Sequence, residues 1–434
     1  TDATGDSPLN VTQAQLTVSE TGTADYVFRA VSNAGNEGTR SDPITVKMDL
    51  TAPAIAVQGT TEAYLTQDTI QIAPTAGLSG VAKVEVRKVG SDWTDITDTY
   101  AGGYTVTENG TYLFRVTNGA GTTATESIVY DKIDSLEPVV AIHSGAYTDG
   151  AWTNQDVTLS VTNTAGNLGT TSFQYKLDDG PWQNYTGAIT VSEETAGTVY
   201  TFKAISASGV ESEEVSITVK LDKTLPEGDV VIAENSVKKL IHDITFGLFF
   251  NRNVDVTITG TDALSGVASV EYYRSQEILT AEEVHAVSAW TRYDSISETA
   301  EDAKQFVYYV KIIDQAGNVA YLGSEGATFD LTAPVIAGVT QGATYYTTQS
   351  VTASDANLSS VTLNGDIVDE AFELKGNTEA VYTITATDKA GNVTTVTVTM
   401  RTIASLADSI RDLTVDNVTS EDKADIQAVQ QAVS

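Results

Sequence analysis

Apolar and polar residues alternate along five similar stretches of the chain, each beginning at a tyrosine nine positions before a glycine. Alternation with a period of two is typical of a β-strand that buries one face. Glycine suits a hairpin turn that needs a positive φ, so each stretch predicts a strand, a tight turn and a partner strand. The five pairs are Tyr26–Gly35, Tyr112–Gly121, Tyr200–Gly209, Tyr308–Gly317 and Tyr382–Gly391.

A second mark, Asp-x-x-x-Pro, follows four of the five glycines and begins at Asp49, Asp134, Asp222 and Asp330. The prolines of this mark lie 85, 88 and 108 residues apart, which is the size of a small β-sandwich that buries its own core. Proline lacks an amide hydrogen and helps to end a strand ladder. The two marks together predict an all-β chain of serial Ig-like sandwiches in an extended array.

The marks also predict where the modules begin and end. Residues 49–133, 134–221, 222–329 and 330–402 are predicted to be whole Ig-like modules, with helical insertions in 222–329. Residues 1–48 hold only the last strands of such a module. Those strands need a partner sheet, and we expect residues upstream in the intact protein to supply it.

Helical spacing replaces the strand pattern in three places. Thr280-x-x-Glu283 reads as a capping box that opens a short helix through Val287. A second helix is predicted behind Ser236, and residues 403–434 are predicted to be a partial helical module. The apolar positions behind these two predictions are Val237, Leu240, Ile241 and Ile244, then Ile403, Leu406, Ile410, Leu413, Ile426, Val429 and Val433.

The formal net charge of −34 limits the choice of partner. Such a surface repels the phosphates of nucleic acids and the headgroups of anionic membranes. No apolar run reaches the roughly 18 residues that a membrane-spanning helix needs. We therefore expect no nucleic acid partner, no membrane insertion and a monomeric, extended chain.

Catalytic motifs are missing from the sequence. Cysteine is absent, so there is no thiol nucleophile and no zinc–thiolate site. The three histidines, His143, His242 and His285, stand far apart, and no Gly-x-Ser-x-Gly, His-Glu-x-x-His or phosphate-binding glycine loop occurs. We predict that this chain is not an enzyme and needs no organic cofactor.

Calcium is the candidate ion, because the junction residues Asp49, Asp134, Asp222 and Asp330 offer hard oxygen ligands between modules. Each junction has one such aspartate, and no Asp-x-Asp-x-Asp loop is present. The alternative, which we favour, is that each aspartate caps a turn beside threonine or serine.

Four aromatic residues within 134–221 are candidates for contact with a glycan or a protein: Trp152, Trp182, Tyr175 and Tyr185. Trp182 follows a hairpin turn, Asp-Asp-Gly-Pro, so we favour packing on its own sheet. The five signature tyrosines are read as structural, like the tyrosine corner of Ig sandwiches, whose hydroxyl bonds to nearby backbone.

Several segments resemble the tandem bacterial Ig-like domains of large Gram-positive surface proteins: Asp-Leu-Thr-Ala-Pro at 49–53 and 330–334, Asp-Lys-Thr-Leu-Pro at 222–226, and Asp-Lys-Ala-Gly-Asn-Val-Thr at 388–394. The resemblance implies an extracellular protein, either held at the cell surface or secreted. It also implies a stalk, adhesin or accessory role. Related proteins carry Lys–Asn crosslinks, but no lysine with a matching acid is identified here.

The function expected from the sequence is a non-catalytic stalk of a Gram-positive bacterium that also acts as an adhesin for a host protein or glycan. One alternative is the accessory Ig-like region of a large secreted glycan-degrading enzyme. The other alternative is a binder of host immunoglobulin.

Overall fold

The structure is a computed structural model that describes residues 15–233, 235–236, 238–239, 241–405, 418–420, 423 and 426–427. Most of these residues lie in strands and their connections, which confirms the all-β class predicted from the sequence. Contacts between Cα atoms divide the chain into two compact units. They are Thr1–Ala151, Asp156–Ser192 and Gly197–Val219, and then Trp152–Gln155, Glu193–Ala196 and Lys220–Ser434.

The first unit begins with an antiparallel hairpin of β1 (Gly22–Tyr26) and β2 (Ile44–Met48). A first sandwich comes next, in which one sheet has the order β3-β4-β7 and the other β6-β5-β8-β9. A 3-10 turn at Tyr100–Gly102 leads into β7. The strands are β3 (Ala54–Gln58), β4 (Asp68–Thr75), β5 (Val81–Lys88), β6 (Thr94–Asp95), β7 (Tyr104–Val106), β8 (Gly110–Asn118) and β9 (Thr123–Tyr130).

The second sandwich has its core in the first unit, and its sheets have the orders β10-β12-β15 and β11-β17-β16-β13-β14. The short strand β11 runs parallel to the end of β17. The strands are β10 (Val140–His143), β11 (Trp152–Thr153), β12 (Val157–Asn163), β13 (Ser172–Leu177), β14 (Gln183–Tyr185), β15 (Ile189–Val191), β16 (Thr195–Ile205) and β17 (Val215–Leu221).

The third sandwich, in the second unit, has a sheet β19-β18-β22-β25 and a larger sheet built on β20-β27-β26-β23-β24, with β28 joining β26 to β21. A 3-10 turn at Ile241–Asp243 and a helix α1 (Ala281–Ala286) interrupt the strands. The strands are β18 (Glu227–Ile232), β19 (Asn235–Ser236), β20 (Lys238–Lys239), β21 (Phe246–Phe250), β22 (Val254–Thr261), β23 (Val267–Ser275), β24 (Thr291–Arg292), β25 (Ile296–Glu298), β26 (Gln305–Asp314), β27 (Val319–Ser324) and β28 (Gly326–Phe329).

The fourth sandwich repeats the plan of the second, with sheets β29-β31-β34 and β30-β36-β35-β32-β33. The strand β30 again runs parallel to the last strand of the module. The strands are β29 (Val335–Ala337), β30 (Thr344–Tyr345), β31 (Gln349–Ser354), β32 (Leu358–Leu363), β33 (Asp366–Val368), β34 (Ala371–Leu374), β35 (Ala380–Asp388) and β36 (Val393–Met400).

The residue two positions after each of the last four signature tyrosines lies at the centre of a core. Phe114, Phe202, Val310 and Ile384 are all fully buried between the two sheets of their sandwiches. The period-two pattern sends alternate side chains to this face, so the signature stretch builds the core in four successive sandwiches.

The hairpin β1–β2 carries the same pattern, and among the described residues these two strands form a sheet of their own. Phe28 and Ile44 are 43% and 54% exposed, whereas Phe202 and Ile217, at the matching places of the second sandwich, are 0% and 7% exposed. The expectation that upstream residues cover this apolar face stays a prediction.

The helix predicted behind Ser236 is wrong. Asn235–Ser236 pairs with β18 and Lys238–Lys239 pairs with β27, so only a 3-10 turn at Ile241–Asp243 is helical there. A helix of fewer than about ten residues is marginal in water, and pairing with two existing strand edges satisfies the same backbone groups. Val237 and Leu240 lie outside the described residues.

The capping box at α1 is present: the Thr280 hydroxyl accepts from the Glu283 amide at 3.3 Å, and the Thr280 amide donates to the Glu283 carboxylate at 2.8 Å. Residues 403–405 are helical, and most of the predicted helical tail, including Leu406, Ile410, Leu413, Val429 and Val433, lies outside the described residues. Among the described residues, no helix has the length and apolarity to cross a membrane.

The signature tyrosines differ in what their hydroxyls bond. The Tyr112 hydroxyl donates to the Glu108 carbonyl at 2.9 Å, as in a tyrosine corner. The Tyr308 hydroxyl instead donates at 2.6 Å to the buried carboxylate of Glu298, which Arg274 also contacts. Burial would raise the pKa of Glu298, but hydrogen bonds from Arg274 and Tyr308 outweigh it and hold that pKa low. The Tyr382 hydroxyl has no hydrogen-bond partner among the described residues.

We expect Tyr308→Phe to destabilise the third sandwich by about 1.5–3 kcal/mol, because a buried carboxylate loses a hydrogen bond. Tyr382→Phe, which removes a hydroxyl without a partner, should change the stability of the fourth sandwich by less than about 0.5 kcal/mol. Hydrogen exchange of the β26 and β35 peptides in the full chain measures both effects. Equal loss of protection in the two variants would contradict the assignment.

Candidate functional site at the junctions between sandwiches

The four candidate aromatic residues do not form one site. Tyr175 and Tyr185 pack around Phe202 in the core of the second sandwich, with ring centroids 6.1 and 6.0 Å from it. The Trp182 ring lies on the opposite, solvent-facing side of that sheet, 4.7 Å and 4.8 Å from the ammonium groups of Lys176 and Lys203. Contact of Trp182 with a glycan or protein stays a prediction.

Trp152 lies on β11, and its ring centroid is 5.8 Å from the Lys220 ammonium. Trp152 thus lies beside the end of β17, with which its own strand pairs in parallel. A role for Trp152 in ligand binding likewise stays a prediction.

Sequence reasoning missed that Trp182 has counterparts. Trp93, which directly precedes β6, lies 4.7 Å from the Arg87 guanidinium and 4.3 Å from that of Arg115. Trp290 directly precedes β24 and lies 5.7 Å from the Lys311 ammonium. The signal was available: Arg115, Lys203 and Lys311 all stand three positions after a signature tyrosine. The contact between a tryptophan ring and a basic side chain therefore recurs at the same position in three sandwiches, which favours a structural role for Trp182.

The junction aspartates share one arrangement, which begins with a turn. In each, one carboxylate oxygen accepts from the amide two residues later at 3.0–3.2 Å, which is the turn cap that the favoured interpretation describes. All four are buried, with side chains between 0% and 8% exposed. The accepting pairs are Asp49–Thr51, Asp134–Leu136, Asp222–Thr224 and Asp330–Thr332.

The other carboxylate oxygen bonds to the following sandwich, at the loop between its second and third long strands. Asp134 accepts from the Leu168 amide at 2.8 Å, and Asp222 accepts from the Ser265 amide at 3.0 Å. At the first junction the amide and the hydroxyl of Ser79 donate to Asp49 at 2.8 and 2.6 Å. At the last junction the side-chain amide of Asn357 donates to Asp330 at 2.7 Å.

The backbone of the same residue bonds to the preceding sandwich. The amides of Asp134, Asp222 and Asp330 donate at 2.8–3.0 Å to carbonyls in the strand or bridge that runs parallel to the end of that sandwich. These carbonyls belong to Leu65, Thr153 and Phe250, respectively. At Asp134 and at Asp330 one buried aspartate therefore bonds to two successive sandwiches.

A second acidic side chain holds each later junction from the preceding sandwich. Glu194 accepts from the Lys223 amide at 2.9 Å and the Thr224 hydroxyl at 2.8 Å, and Asp302 accepts from the Leu331 amide at 2.8 Å and the Thr332 hydroxyl at 3.0 Å. Glu379 does the same for Thr402, at 2.7 and 3.0 Å. We call Glu194, Asp302 and Glu379 the clamp acids.

Hydrogen bonds lower the pKa of every clamp acid. The largest cause is the Thr224 hydroxyl for the pKa of Glu194, the Leu331 amide for that of Asp302, and the Ser405 hydroxyl for that of Glu379. Sequence reasoning missed these residues, although each stands three or six positions before a signature tyrosine.

Loops of one sandwich also pack directly against the previous one. A Cβ on Gly169 would lie 2.7 Å from the Tyr64 ring, and Gly169 has a φ of +73°, so no other residue fits there without displacement. At the last junction the Asn251 amide bonds to Asn392 at 3.2 Å, and the Lys389 ammonium lies 5.3 Å from the Phe249 ring.

The two later junctions gather carboxylates that the sequence did not reveal as groups. Asp222, Asp262 and Asp314 place ligand oxygens within 4.8 Å of one another, and so do Asp330, Asp355 and Asp388. We call these the acidic triads. At that separation each pair of charges repels by about 3 kcal/mol at an effective dielectric constant near 20.

The two earlier junctions have neutral side chains at the matching turn. Asn118 and Ser206 each accept from the amide four residues later, as Asp314 and Asp388 do. Calcium prefers six to eight oxygen ligands that include carboxylates, so the donor set of the triads fits it. Calcium at the junctions stays a prediction, and the structure favours Asp222 and Asp330 over Asp49 and Asp134.

No protein-family model and no curated protein matches the chain. Among solved structures, it is similar to three N-terminal domains of the Highly Immunogenic Outer Capsid protein of bacteriophage RB49. Identity is 14%, the match covers 65% of this chain and 100% of that one, and the TM-score is 0.28.

Two further similar structures are a 1.5-MDa bacterial ice-binding adhesin and the D1–D4 fragment of ICAM-5. The first is 16% identical over 65% of this chain and 100% of its own, with a TM-score of 0.27. The second is 12% identical over 81% and 100%, with a TM-score of 0.32. At these scores the likenesses add nothing to what the strand pairing shows about the fold.

We expect calcium added to the EDTA-treated full chain to slow hydrogen exchange in the loops of the acidic triads, because a cation offsets their mutual repulsion. The loops around Ser79 and Leu168, which bond to single junction aspartates, serve as the internal control and should not respond. Asp314→Asn with Asp388→Asn should abolish the response. Equal protection of all four junctions, or none, would contradict this prediction.

We expect acid to loosen the junctions held by the clamp acids before the cores unfold. Folding lowers the pKa of Glu194 and of Asp302, and a carboxyl group of this kind stabilises the fold at any pH above its unfolded pKa, which is about 4 for Asp and Glu. That stabilisation is lost as the pH falls through the lower folded pKa. Limited proteolysis between about pH 7 and pH 3 should therefore show earlier cleavage near Lys223 and Leu331 than in β16 or β26. Simultaneous cleavage of all four places would refute it.

Proposed function

We propose that this chain is a non-catalytic, extracellular stalk region of a bacterial surface protein, which acts as a spacer of fixed geometry. The observation that carries the proposal is the shared junction aspartate. At Asp134 and at Asp330 the backbone amide bonds to one sandwich and the buried carboxylate to the next, which supports a fixed connection at these two junctions instead of a flexible linker.

The surface chemistry supports the same role. A formal net charge of −34 makes copies of the chain repel one another and keeps such a region soluble. The absence of cysteine means that hydrogen bonds and core burial, and not disulfides, hold the modules. The clamp acids add a second attachment at the last two junctions and at Thr402.

The finer part of the proposal is a Gram-positive adhesin whose stalk carries a binding surface for a host protein or glycan. It is supported by the resemblance of the Asp-x-x-x-Pro segments to those of such proteins. The accessory region of a secreted glycan-degrading enzyme would use the same fixed junctions. A glycan array and a pull-down from host serum, both with the full chain, separate these functions and test immunoglobulin binding.

We expect Asp222→Ala to loosen one junction without unfolding the sandwiches beside it. Loss of the hydrogen bonds from Thr224 and Ser265 should weaken local protection by about 1–3 kcal/mol, which is a roughly 5- to 150-fold faster exchange of peptides around 222–226 and 262–266. Asp366→Asn, a change at an exposed hairpin tip, is the matched control. If Asp222→Ala leaves the exchange of these two peptides unchanged, the proposed role of the junction aspartate is wrong.

A further inference from the structure

A cavity of about 430 Å³ lies beside the last junction aspartate, within the second unit. One wall consists of aromatic residues of the third sandwich: Phe246 and Phe249 of β21 and Phe329 of β28. Asp302 and Asp330 of the junction and Asp355 of the following loop form the acidic side. This volume is in the range of small-molecule binding sites.

The lining combines two features that suit one class of ligand. Three aspartates line the cavity, and no lysine, arginine or histidine is among its described lining residues. The hydrogen bond from the Leu331 amide, the largest cause, lowers the pKa of Asp302 and keeps that group ionised. Aromatic faces beside carboxylates attract an organic cation, because the ring quadrupole and the charge act in the same direction.

A lysine of this chain already makes a contact between an ammonium group and an aromatic ring at the edge of this site. The Lys389 ammonium lies 5.3 Å from the Phe249 ring centroid, within the range of a cation–π interaction. Lys389 comes from the turn between β35 and β36 and is not among the residues that line the cavity. It is thus a nearby cation that competes with an incoming one.

We propose that this cavity binds a primary ammonium group on an apolar stem, such as a lysine side chain presented by a partner protein. The ammonium pairs with Asp355 and the junction carboxylates, and the stem packs against Phe246 and Phe249. A metal ion would gain nothing from the aromatic wall, because hard cations take oxygen ligands. The charge of −34 raises the local concentration of basic partners.

The neighbouring acidic triad allows the proposal to be separated from calcium binding. Asp330 and Asp355 belong to both sites, whereas Asp388 belongs to the triad and does not line the cavity. Phe249 lines the cavity and is not part of the triad. The two sites therefore predict opposite results for Asp388→Asn and Phe249→Leu.

The probe is Nα-acetyl-lysine methylamide, titrated by NMR into the full chain in EDTA at low salt. The matched neutral probe is Nα-acetyl-norleucine methylamide, which keeps the stem and lacks the charge. We expect Phe249→Leu to weaken lysine binding by roughly 3- to 30-fold, in line with the strength of cation–π contacts. Asp355→Asn should weaken it by a similar factor, Lys389→Met should strengthen it, and Asp388→Asn should leave it unchanged while weakening calcium binding.

Equal affinity for the lysine and norleucine probes would overturn the proposal, since charge would then play no part. It is equally overturned if Phe249→Leu has no effect, or if Asp388→Asn weakens lysine binding as much as Asp355→Asn does. Hydrogen exchange around 222–226, measured on the same samples, reports the spacer role independently. A failed titration with intact junctions therefore contradicts the binding site alone.

Discussion

The structure depends on one repeated interaction, the burial of an aspartate at the start of each sandwich. An ionised carboxylate can be buried only where amides or hydroxyls replace the lost water, and each junction supplies donors from its own turn and from the following sandwich. At Asp134 and at Asp330 the amide of the same residue bonds to the preceding sandwich, so the residue whose carboxylate is satisfied also links two sandwiches. The proposed spacer role rests on that arrangement.

The junctions are similar in backbone and different in charge. Single aspartates at Asp49 and Asp134 meet neutral partners, while Asp222 and Asp330 each join two more carboxylates. Repulsion within a triad is offset by several amide donors, and a cation would offset it further. The two later junctions thus share the turn hydrogen bonds of the earlier ones and differ from them in their grouped carboxylates.

The fold was largely predictable from the chain, because its strongest signals are local. The signature tyrosine, the glycine nine positions later and the Asp-x-x-x-Pro mark each express a short-range rule of side-chain alternation, turn geometry or strand ending. The prediction failed at Ser236, where helical spacing of apolar residues yielded to pairing with the edges of β18 and β27. There a tertiary partner for the backbone overrode a weak local preference.

The candidate site was predictable only in part. The sequence by itself determined the serial sandwiches, the hairpins and the identity of the junction aspartates, since all of these rest on residues close together in the chain. Only the tertiary structure decided that Asp262 and Asp314 join Asp222, that Glu194 and Asp302 hold the junctions, and that phenylalanines line a cavity beside Asp330. These groups come from positions dozens of residues apart. The fold of the third sandwich brings Asp222, Asp262 and Asp314 together, and the contact of the third sandwich with the fourth brings Asp302 and the phenylalanines beside Asp330.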